Sequence, residues 1–218
     1  MGFSRVIGGV LLGLIVGSGS AAAANVGVTA LKLRVGEMLP RKGSTVWYLT
    51  KDPALDKGAG TDLQTIAADL FIAYEDGRAA GRLALPAGGF DGTSGWLRNG
   101  TDRARYKNRA APGGPTHARS LFIESGEQAE LLARGLGDPP LHILAAGDPD
   151  PGRVLTALCV TNAGETSCFC SAFSGCTWRS DRAGSRAQLA CRDGTPDPTC
   201  AATGGSATTT TTTATTST

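Results

Sequence analysis

The chain has 218 residues, of which 41% are hydrophobic and 18% charged, with 21 basic against 19 acidic side chains. That mixture excludes wholesale disorder, and the near balance of charge argues against a protein whose main business is coating nucleic acid or an anionic membrane. With an N-terminal export segment and an uncharged tail set aside, 176 residues remain to fold, enough for one domain of generous size or two tight ones.

Met1 to Ala24 reads as a secretory signal: a basic start at Arg5, an apolar stretch from Val6 to Val16, and a small-residue exit ending Ala22-Ala23-Ala24. An uncleaved anchor or a buried helix is the alternative. The mature chain is expected to begin at Asn25, with 20 basic and 19 acidic residues, and to be secreted or periplasmic. No later apolar run approaches the roughly 20 residues that a membrane-spanning helix requires. The general export route is favoured, because no Arg-Arg pair precedes the apolar stretch.

Beyond the signal the chain reads as short strands between turn signals. Leu31, Leu33 and Val35 alternate with Lys32 and Arg34, the period of a half-buried strand. Val46 to Thr50 is aromatic and β-branched, and Asp52-Pro53 ends it. Leu70 to Glu75 closes on Asp76-Gly77, a pair suited to a hairpin turn, with Arg82 to Leu85 returning. From Trp96 to Arg109, the basic residues Arg103, Arg105, Lys107 and Arg109 recur at every second position. As a strand, this segment puts all four on one face and Tyr106 on the other. Leu121 to Glu124, Leu141 to Leu144 and Val154 to Val160 continue the series, while Glu127 to Arg134 suits a helix or a strand equally. No 3.6-residue period is sustained.

All six cysteines, Cys159, Cys168, Cys170, Cys176, Cys191 and Cys200, fall in the last 42 residues before the tail. An even count in an exported chain implies disulfides, here up to three with 15 possible pairings. Cys168 and Cys170 are too close to bond each other comfortably, so each is expected to pair with a more distant partner. Residues 201–218 hold ten Thr and no charge, a composition expected to stay disordered. An O-glycosylated stalk and a repeat expansion without a role are the two readings of that tail.

Short strands with almost no helical segments between them predict an all-β fold, an antiparallel β-sandwich or partly open barrel with a disulfide-rich C-terminal extension. Residues 25–200 are read as a single β domain, with 159–200 as its Cys-rich part.

The succession Val46-Trp47-Tyr48-Leu49-Thr50-Lys51-Asp52-Pro53, then Leu83-Ala84-Leu85-Pro86, Trp96, Arg105-Tyr106-Lys107 and Cys159 resembles a group of uncharacterised exported β-rich proteins of bacteria with G+C-rich genomes. Over roughly residues 30 to 200 the resemblance implies a β fold and export, and it carries no activity across. Cys168-Phe169-Cys170 and Cys176 depart from the group's pattern and imply a locally expanded disulfide region.

Catalytic motifs are missing from the chain. Gly92-Thr93-Ser94-Gly95 lacks the nucleophile-elbow spacing, and Lys42-Gly43-Ser44-Thr45 reverses the order of a phosphate-binding loop. Of the two histidines, His142 sits in an apolar run that suits a structural role, and His117 is the candidate to meet a Ser and an Asp in space. Asp148-Pro149-Asp150-Pro151-Gly152 offers two carboxylates to a cation, but its alternate prolines fit a stiff turn more simply. No metal or cofactor is expected. The alternating basic ladder of Arg103, Arg105, Lys107 and Arg109, with Trp96 as a stacking ring, is the candidate ligand site, suited to an anionic glycan or another cell-envelope component. A solvated strand face is the plainer reading. The expected function is a non-catalytic binding or structural surface module, with an exported hydrolase of carbohydrate or peptide, or a disulfide-rich inhibitor-like element, as alternatives.

Overall fold

A computed structural model describes residues 24–36, 45–77, 80–111, 117–138, 141, 152–180 and 187–203. The segment 1–23, His142, the loop at residues 148–151 and the tail from residue 204 lie outside the described residues.

The strands are β1 (Ala24–Gly27), β2 (Ala30–Gly36), β3 (Val46–Lys51), β4 (Ala67–Tyr74), β5 (Ala80–Leu85), β6 (Ser94–Asn99) and β7 (Arg103–Asn108). β8 (Ala118–Glu124), β9 (Gln128–Ala133), β10 (Val154–Asn162), β11 (Glu165–Phe173), β12 (Thr177–Ser180) and β13 (Ala187–Pro196) complete them. They form one nearly closed, overwhelmingly antiparallel wall in the order β5-β4-β10-β11-β13-β2-β3-β9-β8-β7-β6. Among these strands β1, against β11, is the one that pairs in parallel, and β12 flanks β13. The segment after β5 swings onto β6 at the gap between the two ends, where the Trp96 N–H donates to Gly88 O (2.9 Å) and the Phe90 N–H to Trp96 O (3.0 Å). Gly95 permits that approach, since its φ is 127° and a Cβ would lie 2.5 Å from Gly89 O.

Alternation builds the interior. β4 and β9 expose every second residue and bury the others, so Leu70, Ile72, Leu131 and their counterparts on every other wall strand meet in one core. The ambiguous stretch at Glu127 to Arg134 is a strand because Ala129, Leu131 and Ala133 fall on that inward face. At Leu31 the expected alternation slips, since a register shift between Ala30 and Lys32 takes Leu31 out of the buried series. Of Leu141 to Leu144 only Leu141 is described, buried but outside any strand.

The Cys-rich region carries three disulfides, Cys159–Cys168, Cys170–Cys200 and Cys176–Cys191. It supplies wall as well as covering, because β11 and β13 stand between β10 and β2. β10 and β11 are buried on both faces. Leu158, Phe169 and Phe173 point into the barrel, while Leu155, Ala157, Cys159, Cys168, Cys170 and Ala172 form a second apolar cluster outside it with Cys200 and Ala202. The segment after Pro196 lies over that outer face, and Ala201–Thr203, the first residues of the Thr-rich tail, form a 3-10 turn there rather than starting a disordered stretch.

The loop between β3 and β4 is tied to the turns that follow β8 and β10. Asn162 Nδ2 lies within hydrogen-bonding reach of the Lys57, Gly58 and Gly60 carbonyls at 3.0, 3.3 and 2.7 Å. The Gly126 N–H donates to Leu55 O, and the Lys57 N–H to Ser125 Oγ. Lys57 is itself buried, its Nζ donating to Gly58 O and Gly60 O, and desolvation pushes its pKa down against the raising effect of Asp56 and Asp102.

Candidate anion-binding face

β7 presents the ladder that its sequence predicts. Ala104, Tyr106 and Asn108 are buried, and Arg103, Arg105 and Lys107 face outward. The four cations of the ladder nevertheless divide. Arg103 is engaged by Glu124, its Nε 2.6 Å from the carboxylate, in a small hollow that also contains Asp102. Arg105, Lys107 and Arg109 instead line a depression of about 540 Å³ together with Asn108, Ser120 and Leu132, and Arg119 of β8 and Arg134 beyond β9 join them.

The register explains the meeting. Lys107 stands opposite Ser120 on β8, and Ser120 opposite Leu132 on β9, so residues far apart in sequence share one outer face. A register shift between Ala118 and Ser120 lets Arg119 and Ser120 both turn away from the core. Neither Arg119 nor Arg134 belongs to the β7 alternation, and no sequence signal marks either of them.

Among the described residues the depression is lined by five cations and no carboxylate. Like charges that line one hollow repel, and an anion bound there would offset that repulsion. Arg109 lies over the Phe90 ring at 5.3 Å. Arg134 spends one Nη1–H on Ala111 O at 3.3 Å, and its buried Nε–H has no hydrogen-bond partner among the described residues. Unsatisfied buried donors are uncommon in folded proteins.

Trp96 does not contribute. Its side chain is 0% exposed, its Nε1–H donates to Pro86 O at 3.0 Å, and its ring packs edge-on against Tyr106 with centroids 5.4 Å apart. An inward position on β6 and the closing segment over the barrel gap put this ring in the core, so it cannot stack on a ligand.

No protein-family model, curated protein or solved structure matches the chain. The site therefore rests on its own geometry.

His117 packs against Gly135, and its Nδ1 is buried without a hydrogen-bond partner among the described residues. It lines neither this depression nor the larger cleft of about 730 Å³ between the β4–β5 hairpin and the segment Asp197–Ala202. The larger cleft has an apolar floor that includes Phe71, Leu155 and Ala202, and its arginines are engaged. Arg82 pairs with Asp69 through two nitrogens at 2.8 and 3.1 Å, and Arg153 pairs with Glu75 at 3.0 Å. Among the described residues, no three His, Cys, Asp or Glu side chains cluster to hold a metal. Three disulfides fit an extracellular or periplasmic protein, and no helix among the described residues is long and apolar enough to cross a membrane.

Proposed function

We propose that the protein is an exported, non-catalytic binding or structural surface module. It holds the anionic groups of an acidic glycan or another cell-envelope component on the outer face of β7, β8 and β9. The observation that carries this reading is the depression lined by Arg105, Lys107, Arg109, Arg119 and Arg134, with no carboxylate among the described residues that line it. Arginine forks suit sulfate, phosphate and carboxylate oxygens, and a rigid strand scaffold holds the forks in place before the ligand arrives. The disulfides and the secretory pattern of Met1 to Ala24 support the exported setting.

Inorganic sulfate, titrated by calorimetry, tests the site. Binding is expected to weaken with added salt and to fall by about tenfold or more in Arg105→Ser/Lys107→Ser, since each charge-assisted hydrogen bond contributes about 1.5–3 kcal/mol. Arg103→Ser is expected to leave it unchanged, because Arg103 is engaged by Glu124. Equal binding by wild type and the double variant would sink the reading.

A further inference from the structure

The anion-binding depression is one end of a longer feature. The register lays two outward rows across the wall. One runs Arg34, Trp47, Leu132, Ser120, Lys107, and the other Lys32, Leu49, Glu130, Phe122, Arg105. Each row therefore begins on a cation of β2 and ends on a cation of β7. Four strand spacings separate those ends, about 19 Å.

Between the two ends lie Trp47, Leu49, Phe122 and Leu132, all half-buried and packed into neither apolar cluster. Lys32 Nζ stands 4.4 Å from the Trp47 ring centroid and the Arg34 guanidinium 5.5 Å from it. Lys32, Arg34, Arg105 and Lys107 enter no ion pair among the described residues. One acid interrupts the middle, Glu130, which accepts the Trp47 Nε1–H at 2.9 Å. The cations stand at the two ends of each row and the apolar side chains between them, so a chain that is neutral over the middle and charged at both ends matches the face.

We infer that this face is a track for a linear acidic polysaccharide laid across the strands, with neutral sugars over the Trp47–Phe122 floor and acidic sugars at the cations of β2 and β7. The inference rests on the anion-binding reading of the depression and extends it to a ligand class. The flat pyranose faces present C–H groups that suit an aromatic and aliphatic floor, and the paired cations at each end set the direction of the chain. A bilayer fits less well. Leu97 is the only large exposed hydrophobic side chain among the described residues, and the floor lies within the sheet instead of projecting from it.

The test uses the full mature chain and size-fractionated hyaluronan oligosaccharides, in which glucuronate alternates with N-acetylglucosamine, beside inorganic sulfate and phosphatidylglycerol vesicles. The octasaccharide is expected to bind on the order of tenfold or more tighter than the disaccharide, because the second end is engaged at high effective concentration. Lys32→Ser/Arg34→Ser should return octasaccharide affinity to the disaccharide level while sulfate binding and the unfolding midpoint stay at wild-type values. Phe122→Ser, which removes one ring of the floor and keeps every cation, should give a several-fold loss for the octasaccharide alone. If sulfate binds normally but affinity does not rise with length, or the β2 variant binds the octasaccharide like wild type, the track is overturned and the depression stands. Failure of sulfate and every oligosaccharide to bind overturns both. Vesicle binding without oligosaccharide binding overturns the track in favour of a lipid surface.

Discussion

Two stretches of the same wall are built on opposite terms. Across β3, β9, β8 and β7 each strand buries one face and offers the other to solvent, and that outer face carries arginines, lysines and half-buried rings. Across β10 and β11 both faces are buried, the outer one under the segment that Cys170–Cys200 holds down. The difference shows that a strand covered on both sides is committed to stability, while a strand covered on one side is free to bind. Every cation of the candidate site lies on the uncovered stretch.

The largest expected effect breaks the comparison with one phenylalanine from each stretch. Phe169→Ala, in the doubly buried wall, is expected to cost about 3–5 kcal/mol, and Phe122→Ala, on the open face, about 1 kcal/mol or less. Denaturant unfolding measures both, and equal losses would erase the distinction. Next comes the staple. Cys170→Ala/Cys200→Ala should lower stability by about 2–4 kcal/mol while sulfate affinity stays at the wild-type value, since the covering and the cationic face are separate. A parallel loss of affinity would show that the two stretches are coupled.

The smallest effect concerns the loop that follows β3. Burial alone would raise the Asp52 carboxyl, but the Thr29 and Ala54 N–H groups, each 2.8 Å from one of its oxygens, outweigh that and hold its pKa below the usual carboxylate value. A depressed carboxyl contributes stability that is fully present above about pH 3.9 and is lost as pH falls through the native value. Unfolding midpoints measured from neutral pH down into that range should therefore fall less steeply for Asp52→Asn than for wild type, and identical slopes would remove Asp52 from the account.

β7 was legible because one-sided burial writes itself as alternation, and β3 and β4 were legible as aromatic, β-branched or apolar runs closed by turn residues. Glu127 to Arg134 was not, since Glu, Gln, Ala and Leu carry little β preference and only the neighbours on β3 and β8 decide the matter. The segment Glu165 to Phe173 reads as weakly apolar by its Ser, Thr and Cys, yet Cys168 to Phe173 is buried without a break, because oxidised cysteines pack as apolar side chains and the covering arrives from residues after Pro196. The β7 half of the site was visible as a two-residue repeat. Arg119 and Arg134 depend on a bulge and on cross-strand register, and Trp96 was misplaced because a ring beside a basic run looks the same whether it faces solvent or core.

The pairing of β1 with β11 and of β2 with β13 joins strands near the opposite ends of the described residues. The wall therefore cannot close until β13 reaches β2, a long-range contact of the kind that is slowest to form. All six cysteines lie from β10 onward, so the disulfides link strands and segments on one side of that seam and none of them spans it. Closure between β2 and β13 is thus left to hydrogen bonds and packing.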